Sequence, residues 1–148
     1  LIEMVVIVNK TEITLTIKPG FMEDELHYKV SSDANGNPLD GGKNYKIHMP
    51  PDIPASQFWS VIVYDHPSQL IISTDQSWPS VFSSSTKLLV NHDGSVDVWF
   101  GPQALVSKEN NWIKTLPGKG WLMILRLYYP LESWFDKSWQ PGEIEEVK

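Results

Sequence analysis

Cysteine is absent from the 148-residue sequence, so disulfide bonds, thiol nucleophiles and cysteine metal sites are excluded. Arginine occurs once, as Arg126, no basic run is present and the net charge is -6, which excludes the electrostatic footprint of a nucleic-acid-binding protein. No apolar stretch approaches the ~20 residues of a membrane-spanning helix, and the run over residues 4–8 is too short for a signal peptide. The sequence therefore predicts a soluble protein with no visible signal peptide or transmembrane segment and no nucleic-acid partner.

Alternation of apolar and polar residues recurs along the chain, whereas helical periodicity is nearly absent. Residues 4–8 form a β-branched run and residues 11–17 alternate, which indicates two strands joined at Asn9 and Lys10. Further strands are predicted over residues 26–30, 44–49, 58–65 and 121–129, and only residues 131–139 suit a short helix. Eleven prolines and nine glycines supply the turns between them.

The clearest hairpin in the sequence centres on residues 91–94. Asp93-Gly94 is a favoured turn pair, and β-rich residues flank it over 87–90 and 95–100. Many short strands at close spacing are typical of an antiparallel sandwich or a jelly roll. We therefore predict an all-β fold, an antiparallel β-sandwich of jelly-roll-like form with at most one short C-terminal helix.

The densest aromatic region lies near the C-terminus. Residues 110–145 contain Arg126 and four of the seven tryptophans, namely Trp112, Trp121, Trp134 and Trp139. Aromatic side chains bury large areas in specific packing arrangements, so this density indicates a fixed structure. In the predicted strand over 121–129, Arg126 and the other even-numbered residues share one face, and the odd-numbered residues take the opposite face.

Several short motifs follow one another between residues 33 and 145. They are Leu39-Asp-Gly-Gly-Lys-Asn-Tyr45, Pro50-Pro51 before Phe58-Trp-Ser-Val-Ile-Val-Tyr-Asp65, Thr74-Asp-Gln76 before Pro79-Ser-Val81, Val90-Asn91, Asp93-Gly-Ser-Val-Asp-Val98, Phe100-Gly-Pro102 and the aromatic region. In this order and at this spacing, the chain resembles a bacterial family known as domain of unknown function twelve-fourteen.

The resemblance implies an all-β, jelly-roll-like fold and an oligomeric habit, but no agreed activity or catalytic residues. Members often carry this domain together with a second uncharacterised domain, twelve-fifty-four, so the implied partner is a companion domain or a second copy of the chain. Residues 1–32 match the family poorly. We predict a single domain in which strands within residues 1–32 pack on a jelly-roll-like domain over residues 33–148. The family motif Arg-Leu-Tyr-Gly-Pro has Tyr129 in place of its glycine in this chain.

Arg126 is the first candidate ligand-binding residue. A guanidinium can hold a carboxylate or phosphate of a small molecule through two parallel hydrogen bonds. It can equally form an internal ion pair with a strand carboxylate such as Asp65, Asp97 or Asp136. We favour the internal pair, because a charge in an apolar strand needs a partner.

The candidate catalytic residues are Asp65, His66 and His48. A carboxylate and an imidazole at neighbouring strand ends can carry out acid–base chemistry. The sequence contains no Gly-x-Ser-x-Gly elbow and no His-x-x-x-His spacing, so we predict no metal and no cofactor. Each histidine alone is better explained as a solvated or structural residue.

The remaining ligand-binding candidates are aromatic side chains and one lysine. Trp112, Trp134 and Trp139 could stack on a sugar or a planar ligand, although core or interface packing is the more frequent role of such residues. Lys119 lies in the loop Pro117-Gly-Lys-Gly120, which could approach an anion but lacks the following residues of a phosphate loop.

Two functions remain open from the sequence. The favoured one is a non-catalytic binding or oligomerisation module, because no nucleophile, metal or phosphate motif stands out. The alternative is a hydrolase-type enzyme with a composite Asp/His/Arg site at the strand ends, acting on an anionic or sugar-like small molecule.

Overall fold

Strands dominate the structure, a computed structural model that describes residues 2–8, 11–18 and 23–148, with side chains from Glu25 onward. The strands are β1 (Ile2–Val8), β2 (Thr11–Lys18), β3 (Glu23–Val30), β4 (Asn44–Met49), β5 (Ala55–His66), β6 (Ser80–Phe82), β7 (Val96–Gly101), β8 (Trp112–Lys114), β9 (Gly120–Pro130) and β10 (Glu145–Val147). A single-turn α-helix, α1 (Glu132–Phe135), follows β9, and a 3-10 turn covers Glu109–Asn111. The all-β prediction is confirmed.

The strands form two sheets. One has six strands in the order β1-β2-β3-β9-β5-β6, and the other has four in the order β10-β4-β7-β8. The antiparallel prediction is wrong for one pair, because β7 and β8 run parallel. The physical reason is the connection over residues 102–111, which returns the chain to the end of the sheet where β7 began.

The N-terminal hairpin predicted over residues 4–17 is present, because β1 pairs antiparallel with β2. Its turn residues, Asn9 and Lys10, lie outside the described residues. β2 pairs in turn with β3, so the N-terminal strands continue the six-stranded sheet. The assignment of residues 1–148 to a single domain stays a prediction.

Both sheets contribute side chains to one hydrophobic core. The core face of β9 carries Trp121, Met123, Leu125 and Leu127, each at most 1% exposed. The indole of Trp121 lies 4.7 Å from the ring of Phe100 and 5.6 Å from the ring of Tyr45, both from the four-stranded sheet. These ring contacts join the two sheets.

The hairpin predicted around residues 91–94 is only half formed. The turn exists, with Asn91 N donating to Ser95 O at 2.8 Å, and β7 follows it. Residues 87–90, however, are not a strand. The buried side-chain amide of Asn111 replaces a strand partner there, because it accepts from Leu89 N at 2.9 Å and donates to Leu89 O at 2.8 Å. A third bond, to Asp97 O at 2.9 Å, connects this segment to β7.

The segment Leu39-Asp-Gly-Gly42 docks against the loop before β9. Gly41 N donates to Lys119 O at 2.8 Å, and Thr115 Oγ1 donates to Gly41 O at 2.8 Å. A Cβ on Gly41 would lie 2.0 Å from the backbone oxygen of Leu116. Only glycine allows this close approach between two backbone segments.

We expect Gly41→Ala to lower the free energy of unfolding by at least about 3 kcal/mol, because the added methyl group meets backbone that has no room to move. The matched control is Gly42→Ala, whose Cβ would meet its nearest neighbour at 3.4 Å. Urea unfolding of both variants measures the difference. Equal effects of the two substitutions would contradict the docking of Gly41.

Candidate functional site

A group of polar side chains lies on the outer face of the six-stranded sheet, the face turned away from the core. Arg126 on β9 is directly opposite His27 on β3 and Ser60 on β5. Two residues away on each strand, and therefore on the same face, Glu25 is opposite Tyr128. We call Glu25, His27, Tyr64, Arg126 and Tyr128 the outer-face cluster. The strand alternation that buries the odd-numbered residues of β9 places Arg126 and Tyr128 on this face.

Arg126 has no carboxylate partner within salt-bridge distance in the described part of the chain. Its Nη2 donates to Tyr64 Oη at 2.6 Å. Its Nε is buried, and no acceptor among the described residues reaches it. Buried donors are nearly always paired, so this guanidinium is incompletely satisfied.

The favoured internal ion pair of Arg126 is therefore not formed with any of the three carboxylates proposed for it. Asp97 lies 2.7 Å from His48 Nδ1, Asp65 accepts from Ser68 Oγ at 2.7 Å, and Asp136 accepts from Ser138 N at 2.8 Å. Each of these carboxylates already has a local partner on its own part of the fold.

Glu25 and His27 form a close pair beside Arg126. Glu25 Oε1 lies 2.6 Å from His27 Nε2, and the two side chains are 17% and 26% exposed. The hydrogen bond with His27 lowers the pKa of Glu25, burial opposes this, and the charge of Arg126 adds to the lowering. Burial raises the pKa of Tyr128, and the charge of Glu25 raises it further. The cluster therefore holds a carboxylate, a guanidinium and two phenol groups together.

A small apolar group lies on the same face. Ile62, Tyr64 and Leu122 are buried there, and Ile124 packs against them. Lys29 Nζ donates to Gln69 Oε1 at 2.9 Å, so a bond between β3 and the loop after β5 crosses over this apolar group. The guanidinium of Arg126 is thus bordered by apolar surface on one side and by the Glu25–His27 pair on the other.

A family model described as "Protein of unknown function (DUF1214)" matches residues 24–132, which include every member of the outer-face cluster. The chain belongs to this family. The resemblance read from the sequence motifs is confirmed. The matched region begins within β3, so β1 and β2 precede it.

The solved structures that are similar to this chain include the following two. The VPA0106 protein from Vibrio parahaemolyticus matches with a TM-score of 0.69 and 24% identity, over 84% of this chain and 31% of that chain. An uncharacterised protein from Burkholderia cenocepacia matches with a TM-score of 0.44 and 16% identity, over 84% of this chain and 29% of that chain. The chain thus spans about a third of the length of these solved proteins. No curated protein matches it.

The backbone at Tyr129 has a φ of 55°, in the left-handed region where glycine is favoured over other residues. The resemblance to the motif Arg-Leu-Tyr-Gly-Pro implies a glycine at this position. The chain adopts a conformation that suits glycine although it carries a tyrosine there.

The structure does not bring His48 together with Asp65 and His66. His48 lies on β4 in the four-stranded sheet, whereas Asp65 and His66 end β5 in the six-stranded sheet. Burial works to raise the pKa of Asp97, but hydrogen bonds with His48 and Asn91 outweigh it and lower that pKa. His48 is therefore the partner of Asp97, and His66 is exposed at a strand end.

The aromatic candidates occupy two separate places. Trp112 lies beside Trp99 on the four-stranded sheet, and its Nε1 donates to Gly101 O at 3.2 Å. Trp139 is 5% exposed in the core, and Trp134 is half-buried with its ring 6.0 Å from that of Trp139. Sequence reasoning missed the lysines at Trp99, where Lys46 Nζ lies 5.4 Å and Lys108 Nζ 5.7 Å from the ring centroid.

Lys119 is exposed in the loop before β9. The amide of Lys119 donates to Leu116 O at 3.2 Å, and its carbonyl accepts from Gly41. The loop backbone around Lys119 is therefore used to hold Gly41. In the described residues no group of three or more His, Cys, Asp or Glu side chains could hold a metal ion. None of the helices described there has the length and hydropathy needed to cross a membrane.

We expect Glu25 to contribute stability that depends on pH. Because the pKa of Glu25 is lowered by folding, its contribution is present above its ordinary value of 4.5 and is lost as the pH falls through the lowered value. The difference in free energy of unfolding between the wild type and Glu25→Gln should therefore shrink below about pH 5. Urea unfolding at a series of pH values measures it. The control is Glu143→Gln, which changes an exposed side chain. Its free energy of unfolding should match that of the wild type across the same pH series.

Proposed function

We propose that this chain is a non-catalytic binding module with the architecture of a jelly-roll-like β-sandwich, and that Arg126 binds an anionic group of its ligand. The proposal rests on the burial of Arg126 and on its lack of a carboxylate partner among the described residues. Arg126 is the single arginine of the chain and is half-buried. A carboxylate or phosphate would supply the acceptors that this guanidinium lacks.

The neighbours of Arg126 support an anion there. Among the described residues, the carboxylate close to it is that of Glu25, which is held by His27 at 2.6 Å. Tyr64 Oη accepts from the guanidinium, so the hydrogen of this hydroxyl group can be donated to the same anion. Because Nε is closed off from solvent, a ligand reaches it only when a neighbouring side chain such as Tyr64 moves.

The alternative, a hydrolase with a composite site, has less support. It needs Asp65, a histidine and Arg126 to converge, and His48 lies in the other sheet. Asp65 accepts a hydrogen bond from Ser68 at the beginning of the loop after β5. A guanidinium without a nucleophile and a base in hydrogen-bond contact favours binding over catalysis.

We expect inorganic phosphate or citrate to bind wild-type protein at one saturable site in a calorimetric titration at neutral pH. Arg126→Met should weaken this binding at least about tenfold, because it keeps an apolar stem and removes the charge. Its free energy of unfolding should fall by only about 1–2 kcal/mol, because no buried ion pair is broken.

The control is Lys119→Met, which removes one exposed positive charge and tests the competing candidate. Binding by this variant should stay within about twofold of the wild type, since exposed charges are screened by salt. Unchanged binding in Arg126→Met would contradict the proposal. So would a loss of about 3–5 kcal/mol of stability in that variant, since this is the cost of breaking a buried ion pair.

Self-association is a second candidate function, favoured by the exposed apolar side chains at the β6 edge of the six-stranded sheet. Leu70 is 69%, Ile71 47% and Trp78 56% exposed. Ile71 bridges to Tyr64 on β5, and Trp78 lies two residues before β6, so all three belong to this edge. Large exposed apolar side chains grouped together are typical of interaction surfaces.

We expect the wild type to form a homo-oligomer by light scattering coupled to size-exclusion chromatography. Trp78→Ser combined with Leu70→Ser should shift it towards the monomer, because the apolar contact area is lost. Val106→Ser is the control, since Val106 is 89% exposed on a different loop. A wild type that stays monomeric at the highest concentration measured would rule out self-association.

A further inference from the structure

Three aromatic side chains lie beside Arg126 on the outer face of the six-stranded sheet. Tyr128 on β9 is directly opposite Phe58 on β5, and their rings are 5.4 Å apart in an edge-to-face arrangement. The ring of Phe82 on β6 lies 6.2 Å from that of Phe58. Each of the three side chains is only partly buried, so the sheet presents aromatic surface to solvent here.

Strand pairing separates Arg126 from Phe82 by one small residue. Ser60 on β5 is opposite Arg126 on one side and opposite Phe82 on the other. Neighbouring strands lie about 4.8 Å apart, so the backbones at Arg126 and Phe82 are separated by about 10 Å. Ser60 is buried between them, whereas Arg126 and Phe82 are both partly exposed. A cation and an aromatic ring therefore reach the surface at a separation that one small molecule can bridge.

Negative charge near Arg126 lies on one side of it. Glu25, whose charge interacts with that of Arg126, is on β3 and is in contact with His27. On the other side of β9, the outward residues of the paired parts of β5 and β6 are all uncharged, namely Phe58, Ser60, Ile62, Tyr64, Ser80 and Phe82. A carboxylate that approaches Arg126 from β5 meets no acidic side chain at these positions. The guanidinium on this side favours an anion, and the rings beside it favour a flat apolar body.

We propose that the ligand of Arg126 is a small aromatic carboxylic acid, with its carboxylate on the guanidinium and its ring against Phe58 and Phe82. Because this inference rests on the anion site proposed for Arg126, it specifies the ligand class of that same site. Aromatic rings in offset or edge-to-face contact attract one another more strongly than their buried area alone explains. A phosphate ion would use the guanidinium and leave the rings uncovered, whereas an aromatic acid uses both.

The probe is benzoate, with acetate as the analogue that has the same charge and no ring. We expect calorimetric titration at neutral pH to give a dissociation constant for benzoate at least about tenfold below that for acetate, because the ring is removed from water. Benzoate should displace inorganic phosphate from the wild type. Arg126→Met should weaken benzoate binding at least about tenfold, since both anions use the same guanidinium.

Phe82→Ser tests the contact with the ring. It should weaken benzoate binding at least about fivefold and leave acetate and phosphate binding within about twofold of the wild type, because it removes a ring and keeps Arg126. Retained phosphate binding also shows that this variant is folded. The matched control is Phe135→Ser, which removes a 52% exposed ring from α1 and should bind benzoate like the wild type.

The comparison of benzoate with acetate on the wild type needs no variant and can contradict the proposal alone. Equal affinities for the two acids, together with phosphate binding that depends on Arg126, would overturn the aromatic ligand and leave the anion site intact. Equal benzoate affinities of Phe82→Ser and the wild type would also overturn it. If neither phosphate nor benzoate binds the wild type, the anion site is wrong and so is the ligand class.

Discussion

The double pairing of β9, with β3 on one side and β5 on the other, is the constraint on which both the core and the outer-face cluster depend. Because successive side chains of a strand point to opposite faces, this register sends Trp121, Met123 and Leu125 inward and Arg126 outward. A slip by one residue would exchange the two sets and place a guanidinium in the core, where an unpaired charge is very costly. The burial of the aromatic and aliphatic residues therefore selects the position of Arg126 between His27 and Ser60.

Local periodicity was sufficient to predict most strands and the two faces of β9, because both follow from alternation within one segment. It was not sufficient for β8, a strand of three residues that pairs in parallel and has no pattern of its own. It also failed at residues 87–90, where a side-chain amide 22 positions away in sequence replaces a neighbouring strand. The sequence also did not show that Glu25, His27 and Tyr64 lie near Arg126. Their proximity depends on the pairing of β9 with β3 and β5, and the pattern within a single strand does not specify its partners.

The charged groups of the chain differ in how completely they are paired, and this difference separates a structural group from a candidate binding group. Asp97 is contacted by His48 and Asn91, so both of its carboxylate oxygens have hydrogen-bond partners. Lys114 lies 2.7 Å from Asp75 in a similar exposed pair. Arg126 has tyrosine hydroxyl groups as neighbours instead of a carboxylate in contact, and it lies partly buried, where charges interact more strongly than in water. Among the described residues, ion pairs with both partners in contact thus occur beside a half-buried guanidinium that has no carboxylate in contact.

The side chain of Asn111 has a consequence for the motions of this fold. Strand pairing normally protects backbone amides through many bonds along a ladder, but the amide of Leu89 is held by a single side chain. A change of the Asn111 side-chain rotamer would break the hydrogen bonds to Leu89 and Asp97 together. Residues 87–90 are not part of a strand, so these bonds can open without opening a strand ladder. One amide side chain thereby determines how long residues 87–90 stay attached to β7, and hydrogen exchange at the Leu89 amide reports that time.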